Sequence, residues 1–429
     1  TSHSSAFTGY TDFQNKTTIL DIVIDGENVL EIKEGQSGCI ILESCPFYAE
    51  AGGQIGDSGK ITSQNGEFHV HDTQKKGDAN LLFGKQISGV LKINELGHAQ
   101  IDQTKRENIK LNHSATHLLH SALIKNIGND VQQKGSLVSD EKLRFDFSCE
   151  KPIRREVLNL IEAEVNEIIE KNIPAITRVM NKDEAISEGA IALFGEKYDE
   201  NVRVLSFGDV STELCGGTHV NNTGDIGVFK ILSESSISSG IRRIEAITGM
   251  SANDYLTKRD NLVSDICQVL NVHDEDLKEK ISLLLSDNKK LKKENSALQK
   301  KVSHLNILDL INKKNYVSEC NFQVFNQEYI DGKILKNILE EIKSSEEKLI
   351  LIILQKNKSK LEIHVLVTKD CHEIINAKQI IDILNVNFGS TGGGRDDLAQ
   401  AGLDYSGDIS NLVLEIKNNI KNSITNLEK

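Results

Sequence analysis

The sequence reads as an α+β multidomain protein: an N-terminal β-barrel-like subdomain, an α/β core, a coiled-coil helical segment and a small C-terminal α/β domain. Three observations carry that reading. Up to about residue 105 the chain consists of short β-branched runs cut by Gly, Asn, Asp and Ser clusters, which suits a small antiparallel barrel or sandwich. From Arg106 the apolar spacing lengthens to that of a helix. Beyond residue 270 leucine recurs at every seventh position, the repeat of a coiled coil. At 429 residues the chain exceeds what one core organises. The changes of period place boundaries at 1–105, 106–250, 251–318 and 319–429.

In order along the chain, "TTILDIVID", "GCIILES", "GEFHVHDT" and "ISGVLKIN" predict strands. Between the second and third lies "CPFYAEAGGQIGDSG", Cys45 to Gly59, where so many glycines mean sharp turns or a close approach. "NIKLNHSATHLLHSALIKNI" predicts one helix stopped by Gly128, "GSLVSDEKLRFDFS" a hairpin arm, and "RREVLNLIEAEVNEIIEKN" an amphipathic helix ending before Pro174. "VRVLSFG" is strand-like and leads into "TELCGGTHV". Leu277, Leu284, Leu291, Leu298 and Leu305, with Ile281, Asn288, Asn295 and Val302 between them, give the coiled-coil repeat. The asparagines are of the kind that fix register; one strand of the pattern fits an intrachain hairpin and a dimer seam equally. Near-continuous apolar strands "EKLILIILQK" and "KLEIHVLVTK", a helix "AKQIIDILN", the glycine loop "GSTGGGRDDLAQAG" and a terminal helix complete the chain.

Composition narrows the function. A formal net charge of −13 argues against indiscriminate nucleic-acid binding, because phosphate affinity comes mostly from clustered Lys and Arg. Local basic patches remain at Lys289–Lys293, at "QKK" ending at Lys301 and at "KNKSK" ending at Lys360; each reads equally as a solvated charged face. No apolar run approaches the roughly 20 residues of a membrane span, and the polar opening "TSHSSAFTGY" is no signal peptide. The chain is therefore expected to be soluble and cytoplasmic, with its seven widely spaced cysteines as reduced thiols. A threonine at position 1 predicts a processed chain or an excised fragment.

The chemistry begins at "LNHSATHLLH". His113 and His117 lie four residues apart, one turn of a helix, so both rings can converge on one object. A metalloprotease is excluded, since Ser114 stands where that motif needs glutamate. "TELCGGTHV" supplies a second pair, Cys215 and His219, with Gly216 and Gly217 letting the backbone curl. Three imidazoles and one thiolate form a borderline-soft donor set that suits Zn²⁺ better than Mg²⁺ or Ca²⁺.

"FYAEAGGQIGDSG", "LNHSATHLLHSAL", "GSLVSDEKLRFDFS", "ELCGGTHV", "GIRRIEAITG" and "GGGRDDLAQAG", in that order, closely resemble the C-terminal half of alanyl-tRNA synthetases, over essentially the whole chain. The resemblance implies an editing domain that hydrolyses tRNA charged with the wrong amino acid, then a helical oligomerisation segment and a small globular tRNA-binding domain. The implied partners are tRNA(Ala), at its acceptor end and elbow, and further copies of the chain. The family's aminoacylation domain has no counterpart here, so synthesis of alanyl-tRNA is not expected of this chain alone. The glycine-rich end also resembles that of DHH phosphoesterases, although the Asp-His-His motif of that family is missing.

An alanine pocket cannot strongly exclude glycine or serine, because one methyl or one hydroxyl discriminates only roughly 10 to 200-fold. A second site must therefore remove the errors. To spare alanine it should make a hydrogen bond that serine's hydroxyl alone completes. Gln54, in the glycine-rich loop, is the candidate for that group; hydrogen bonding within its own loop is the alternative. Ester hydrolysis needs an activated water and a stabilised oxyanion, and Glu50 is the candidate base, though "AEAGG" also reads as a turn carboxylate. Four protein ligands would close the zinc sphere. Displacement of one ligand such as Cys215, expansion to five-coordinate, or a purely structural metal are the three ways out. Arg144 and Asp146 alternate on a strand, as pocket rim or plain ion pair. Arg242, Arg243, Gly392, Gly393, Gly394 and Arg395 are candidate phosphate contacts to tRNA.

Overall fold

The computed structural model describes residues 4–192, 199–357 and 360–427. The chain divides into two compact units, Thr1–Ile266 and Cys267–Lys429, and its architecture is mixed α+β.

In the first unit the alternating runs become β1 (Gln14–Ile24), β2 (Ser37–Leu42), β3 (Gly59–Thr62), β4 (Gly66–Lys76), β5 (Ala79–Lys92) and β6 (Leu96–Ile101). Pairing runs β6-β3-β4-β5-β2-β1, and β6 pairs again with β1, so the sheet closes into a six-stranded barrel. Closure leaves these strands no open edge. Alternate residues, among them Ile19, Ile40, Leu42, Ile61, Phe68 and Leu82, fill the interior. A bulge between Ile19 and Asp21 resets the alternation, so that Ile22 also turns inward.

Helix α1 (Gln103–Ile127) starts at Asp102, whose carboxylate accepts from the Lys105 amide at 3.0 Å, and ends at Gly128. Arg106, in its first turn, is completely buried. Its guanidinium pairs with Asp57 and donates to the carbonyls of Gly9 at 2.6 Å and Pro46 at 3.1 Å. The start of the helix is thereby fastened to the glycine-rich loop. Against α1 pack α2 (Arg155–Glu170) and two antiparallel sheets. One has the order β7-β8-β13-β12, from β7 (Gln133–Val138), β8 (Leu143–Ser148), β12 (Phe229–Ser238) and β13 (Ile241–Thr248). The other contains β9 (Ala175–Asn181), β10 (Asn201–Phe207) and β11 (Ser211–Leu214). Leu118, Leu119, Leu123, Phe145, Phe147, Ile161, Phe207 and Ile244 form their common core. The unit boundary falls within α3 (Gly249–Leu270).

The second unit holds α4 (Leu277–Ile311), β14 (Cys320–Gln327), α5 (Gly332–Ser345), β15 (Leu349–Asn357), β16 (Lys360–Val367), α6 (Ala377–Phe388), β17 (Thr391–Gly394), β18 (Leu398–Leu403) and α7 (Ile409–Leu427). Its sheet runs β14-β15-β16-β18-β17, with the short strand Tyr316–Val317 outside β14. Helices α6 and α7 cover one face, while α5 and the end of α4 cover the other. Leu349 to Leu354 are therefore buried on both sides, which explains why that strand is apolar without alternation. Of the basic "KNKSK" patch, Lys358 and Ser359 lie outside the described residues.

The expectation of seven reduced thiols needs correction. Cys320, at the start of β14, and Cys371, in the turn after β16, meet at one end of the sheet and form a disulfide, with Cα atoms 6.3 Å apart. They are 51 residues apart in sequence, and only the strand order brings them together. Cys39, Cys45, Cys149, Cys215 and Cys267 are free. No helix among the described residues is long and apolar enough to cross a membrane.

Candidate metal centre

His113 and His117 project from α1 toward the loop that follows β11, which carries Cys215 and His219. The ligand atoms of all four lie within 4.8 Å of one another. Cys215 Sγ is 3.2 Å from His219 Nε2 and 3.5 Å from His113 Nε2. His117 Nε2 is buried without a hydrogen-bond partner among the described residues, as expected of an atom reserved for a ligand bond.

Each imidazole is held from behind through Nδ1. His113 donates to Gln54 Oε1 at 2.8 Å, His117 to Glu213 Oε2 at 2.9 Å and His219 to Ser114 Oγ at 3.2 Å. Such outer partners fix the tautomer and aim Nε2 at a common point. Gln54 is itself completely buried: its Oε1 also accepts from the Thr218 amide at 2.9 Å and its Nε2 donates to Thr218 Oγ1 at 3.0 Å. It thus ties the glycine-rich loop to both halves of the centre, rather than only to its own loop.

The Cys215 loop is gripped from outside. Arg203 donates to the Cys215 carbonyl at 3.0 Å and the Gly217 carbonyl at 2.9 Å, and Tyr10 donates to the Gly216 carbonyl at 2.7 Å. Arg203 also lies over the Tyr10 ring, 4.4 Å from its centroid. With three successive carbonyls turned outward, the Gly217 amide points back at Cys215 Sγ, 3.5 Å away.

Electrostatics prepare the donor set. Burial opposes a charge on Cys215, but His113, His219 and His117 outweigh it and hold the thiol well below its ordinary range. The thiolate is the ligating form. Burial holds His219 down at about 3, against the pull of Cys215. Burial also disfavours a charged His117, but Glu213 and Cys215 outweigh it and push the ring up to about 10, so His117 carries an Nε2 proton that a metal ion would have to displace. Glu213 is ionised: burial works against it, yet His117 and His120 keep its carboxyl below the usual range.

The other predicted residues lie as follows. Glu50 is exposed and accepts from Gln74 on β4 at 2.6 Å. Asp146 receives a bidentate contact from Arg243, at 2.7 and 2.8 Å, and stands 3.9 Å from Arg144. Arg242 is on the opposite face of β13, buried and paired with Glu234, and is turned toward the core rather than toward solvent. Gly393, Gly394 and Arg395 border a cavity of about 360 Å³ together with Lys336 and His364. A Cβ on Gly394 would stand 2.4 Å from Ala399 Cα, so this glycine permits the pairing of β17 with β18. Arg395 is paired with Glu340 at 3.0 Å and Asp397 at 3.1 Å. Residue patterns gave no role to Glu213, Ser114, Thr218, Tyr10, Arg203 or His120. Glu213 lies on β11, two residues before Cys215 in the loop that follows, and no residue pattern singles it out.

Three family models match in succession. That for tRNA synthetases class II (A) matches residues 1–105, that for the threonyl and alanyl tRNA synthetase second additional domain residues 202–245, and that for the DHHA1 domain residues 314–422. Among solved structures, the C-Ala domain of the Aquifex aeolicus alanyl-tRNA synthetase matches with 22% identity, covering 25% of this chain and 97% of that one, at a TM-score of 0.23. The second additional domain match contains Cys215 and His219 and ends within β13, and with its flanking matches it identifies the chain as alanyl-tRNA synthetase-like.

Proposed function

We propose that this chain hydrolyses the ester of mischarged Ser-tRNA(Ala) and Gly-tRNA(Ala) at a zinc centre held by His113, His117, Cys215 and His219. The observation that carries the reading is the convergence of three Nε2 atoms and a thiolate, each ring fixed from behind, in a chain that matches the second additional domain. Zinc, when bound, would supply an anchor for the substrate's amine or hydroxyl and polarise the ester. The protein's own groups do the selecting. Gln54 has committed one amide proton to Thr218 and keeps a second for serine's hydroxyl; with alanine that donor stays unpaired. Glu50 is the solvent-facing carboxylate of the loop for activating water. Arg144 and Arg243 meet the RNA backbone at the rim, and Gly393, Gly394 and Arg395 meet it in the second unit, with further copies of the chain joined through α4.

A second reading, a tRNA-binding arm with structural zinc, is favoured by one observation: the three histidines are only 4–8% exposed and all four ligands come from the protein. Time-resolved deacylation of Ser-tRNA(Ala) beside Ala-tRNA(Ala), with zinc assayed on the same sample, separates the two. The proposal expects loss of serine alone, and Cys215→Ala should lower zinc and hydrolysis together. Bound tRNA with neither ester hydrolysed would establish the arm instead.

A further inference from the structure

The "FTGY" of the opening segment, Phe7 to Tyr10, reaches from the glycine-rich loop to the metal loop. Phe7 pairs with Cys45, and the Thr8 amide donates to the Cys45 carbonyl at 3.0 Å. The Gly9 carbonyl accepts from Arg106, in the first turn of α1, at 2.6 Å. Tyr10 follows, its ring edge-on to Phe7 at 4.9 Å and covered by Arg203 at 4.4 Å. One side of the segment is thus fastened to the helix that carries His113 and His117. The other is fastened to the loop that carries Cys215 and His219, through the 2.7 Å bond from the Tyr10 hydroxyl to the Gly216 carbonyl.

That last bond decides a peptide orientation. In a trans peptide the carbonyl of one residue and the amide of the next point opposite ways. The Gly216 carbonyl and the Gly217 amide share one peptide, so a carbonyl drawn outward to Tyr10 sends the amide inward, where it meets Cys215 Sγ at 3.5 Å. Packing does not make this choice. Nothing lies within 4 Å of where a Gly216 Cβ would stand, and two glycines in a row leave the backbone free to turn the plane over. Turned over, the same peptide would present a carbonyl oxygen to the thiolate. Arg203 fixes the peptides on either side, through the Cys215 and Gly217 carbonyls. Among the described residues, Tyr10 is the partner of the one between.

We propose that Tyr10 is a positioning residue for the metal centre, keeping the Gly216–Gly217 peptide turned so that its amide donates to the Cys215 sulfur; the inference rests on the zinc-centre part of the deacylase reading and not on its substrate. The test compares the full chain with Tyr10→Phe, which keeps the ring against Phe7 and Arg203 and removes the hydroxyl alone. Zinc affinity, measured by competition with a chromophoric chelator, should fall about tenfold, the lower end of the roughly 10–100-fold loss on removing an outer partner of a metal site. With Co²⁺ in place of zinc, the thiolate-to-cobalt absorption band should shift, which a general loss of stability would not cause. The denaturation midpoint of the metal-free chain should stay the same, because Tyr10 is 44% exposed. Wild-type zinc affinity in Tyr10→Phe, or a cobalt band that does not move, overturns the proposal. A wild-type chain that binds neither metal removes the zinc centre itself and the role of Tyr10 with it. Metal binding that depends on Tyr10 in a chain that hydrolyses no Ser-tRNA(Ala) upholds the proposal and removes only the hydrolase.

Discussion

Gly217 is the point at which the metal loop comes closest to α1. A Cβ there would stand 2.1 Å from His113 Cε1 and 3.0 Å from Gln54 Oε1, and the ring cannot give way because Gln54 holds its Nδ1. Gly217→Ala should therefore abolish most metal binding without unfolding the chain, as measured by metal-to-protein ratio beside circular dichroism. Gly216→Ala is the control, since nothing lies within 4 Å of its Cβ position, and full loading of both variants would refute the packing argument. The thiols differ by the same logic of surroundings. Burial pushes Cys39 and Cys45 up to about 12, so both are neutral at pH 8 and should resist iodoacetamide while the half-buried Cys149 reacts. For Cys45 the sign follows from linkage. The native state keeps a proton that the unfolded thiol gives up near pH 8.5, so its stabilisation is complete below about 8.5 and is lost as pH rises toward about 12. Peptide mapping of the alkylated native protein decides, and equal labelling of Cys45 and Cys149 would contradict it.

At the scale of elements, the centre depends on how α1 is seated. The Arg106 guanidinium, with its four contacts to Asp57, Gly9 and Pro46, holds the helix start to the loop that presents Gln54. Arg106→Ala would leave Asp57 buried and unpaired, a loss of about 3–5 kcal/mol for a broken buried pair. Chemical denaturation monitored on the barrel should show it, and a loss below about 1 kcal/mol would mean that water replaces the guanidinium. The pairs His113/His117 and Cys215/His219 were legible because each is local: one helical turn, and one glycine-rich curl. Strong alternation and heptad spacing marked the barrel and α4 equally well. What stayed hidden is long-range. β3 is four residues long and acquires meaning only by pairing between β6 and β4, and the Cys320–Cys371 bond depends on strand order. Whether Arg242 or Arg243 faces solvent is set by the register of β13 against β8, because neighbours on a strand point to opposite faces. Adjacent arginines in a sequence do not reveal which is which.

At the scale of the molecule, the unresolved business of the fold is the apolar seam of α4. Leu284, Leu291, Leu298 and Leu305 are 44–63% exposed in the single chain, while only the last turns of the helix enter the core through Ile307 and Ile311. Each such leucine, if covered, contributes roughly 1.5–3 kcal/mol, and four in one line exceed what a solvated helix face usually carries. Asn288 and Asn295, at the alternate seam positions, would select a two-stranded register over larger bundles. A second copy of the same helix is the occupant this pattern fits. The 47.5 kDa chain should therefore sediment at twice its mass at micromolar concentration. Leu291→Glu combined with Leu298→Glu should return it to the single mass by placing like charges in the seam, with metal content unchanged because the ligands belong to the other unit. A wild-type chain that stays monomeric at every concentration would sink the pairing, and so would a charged variant that still dimerises.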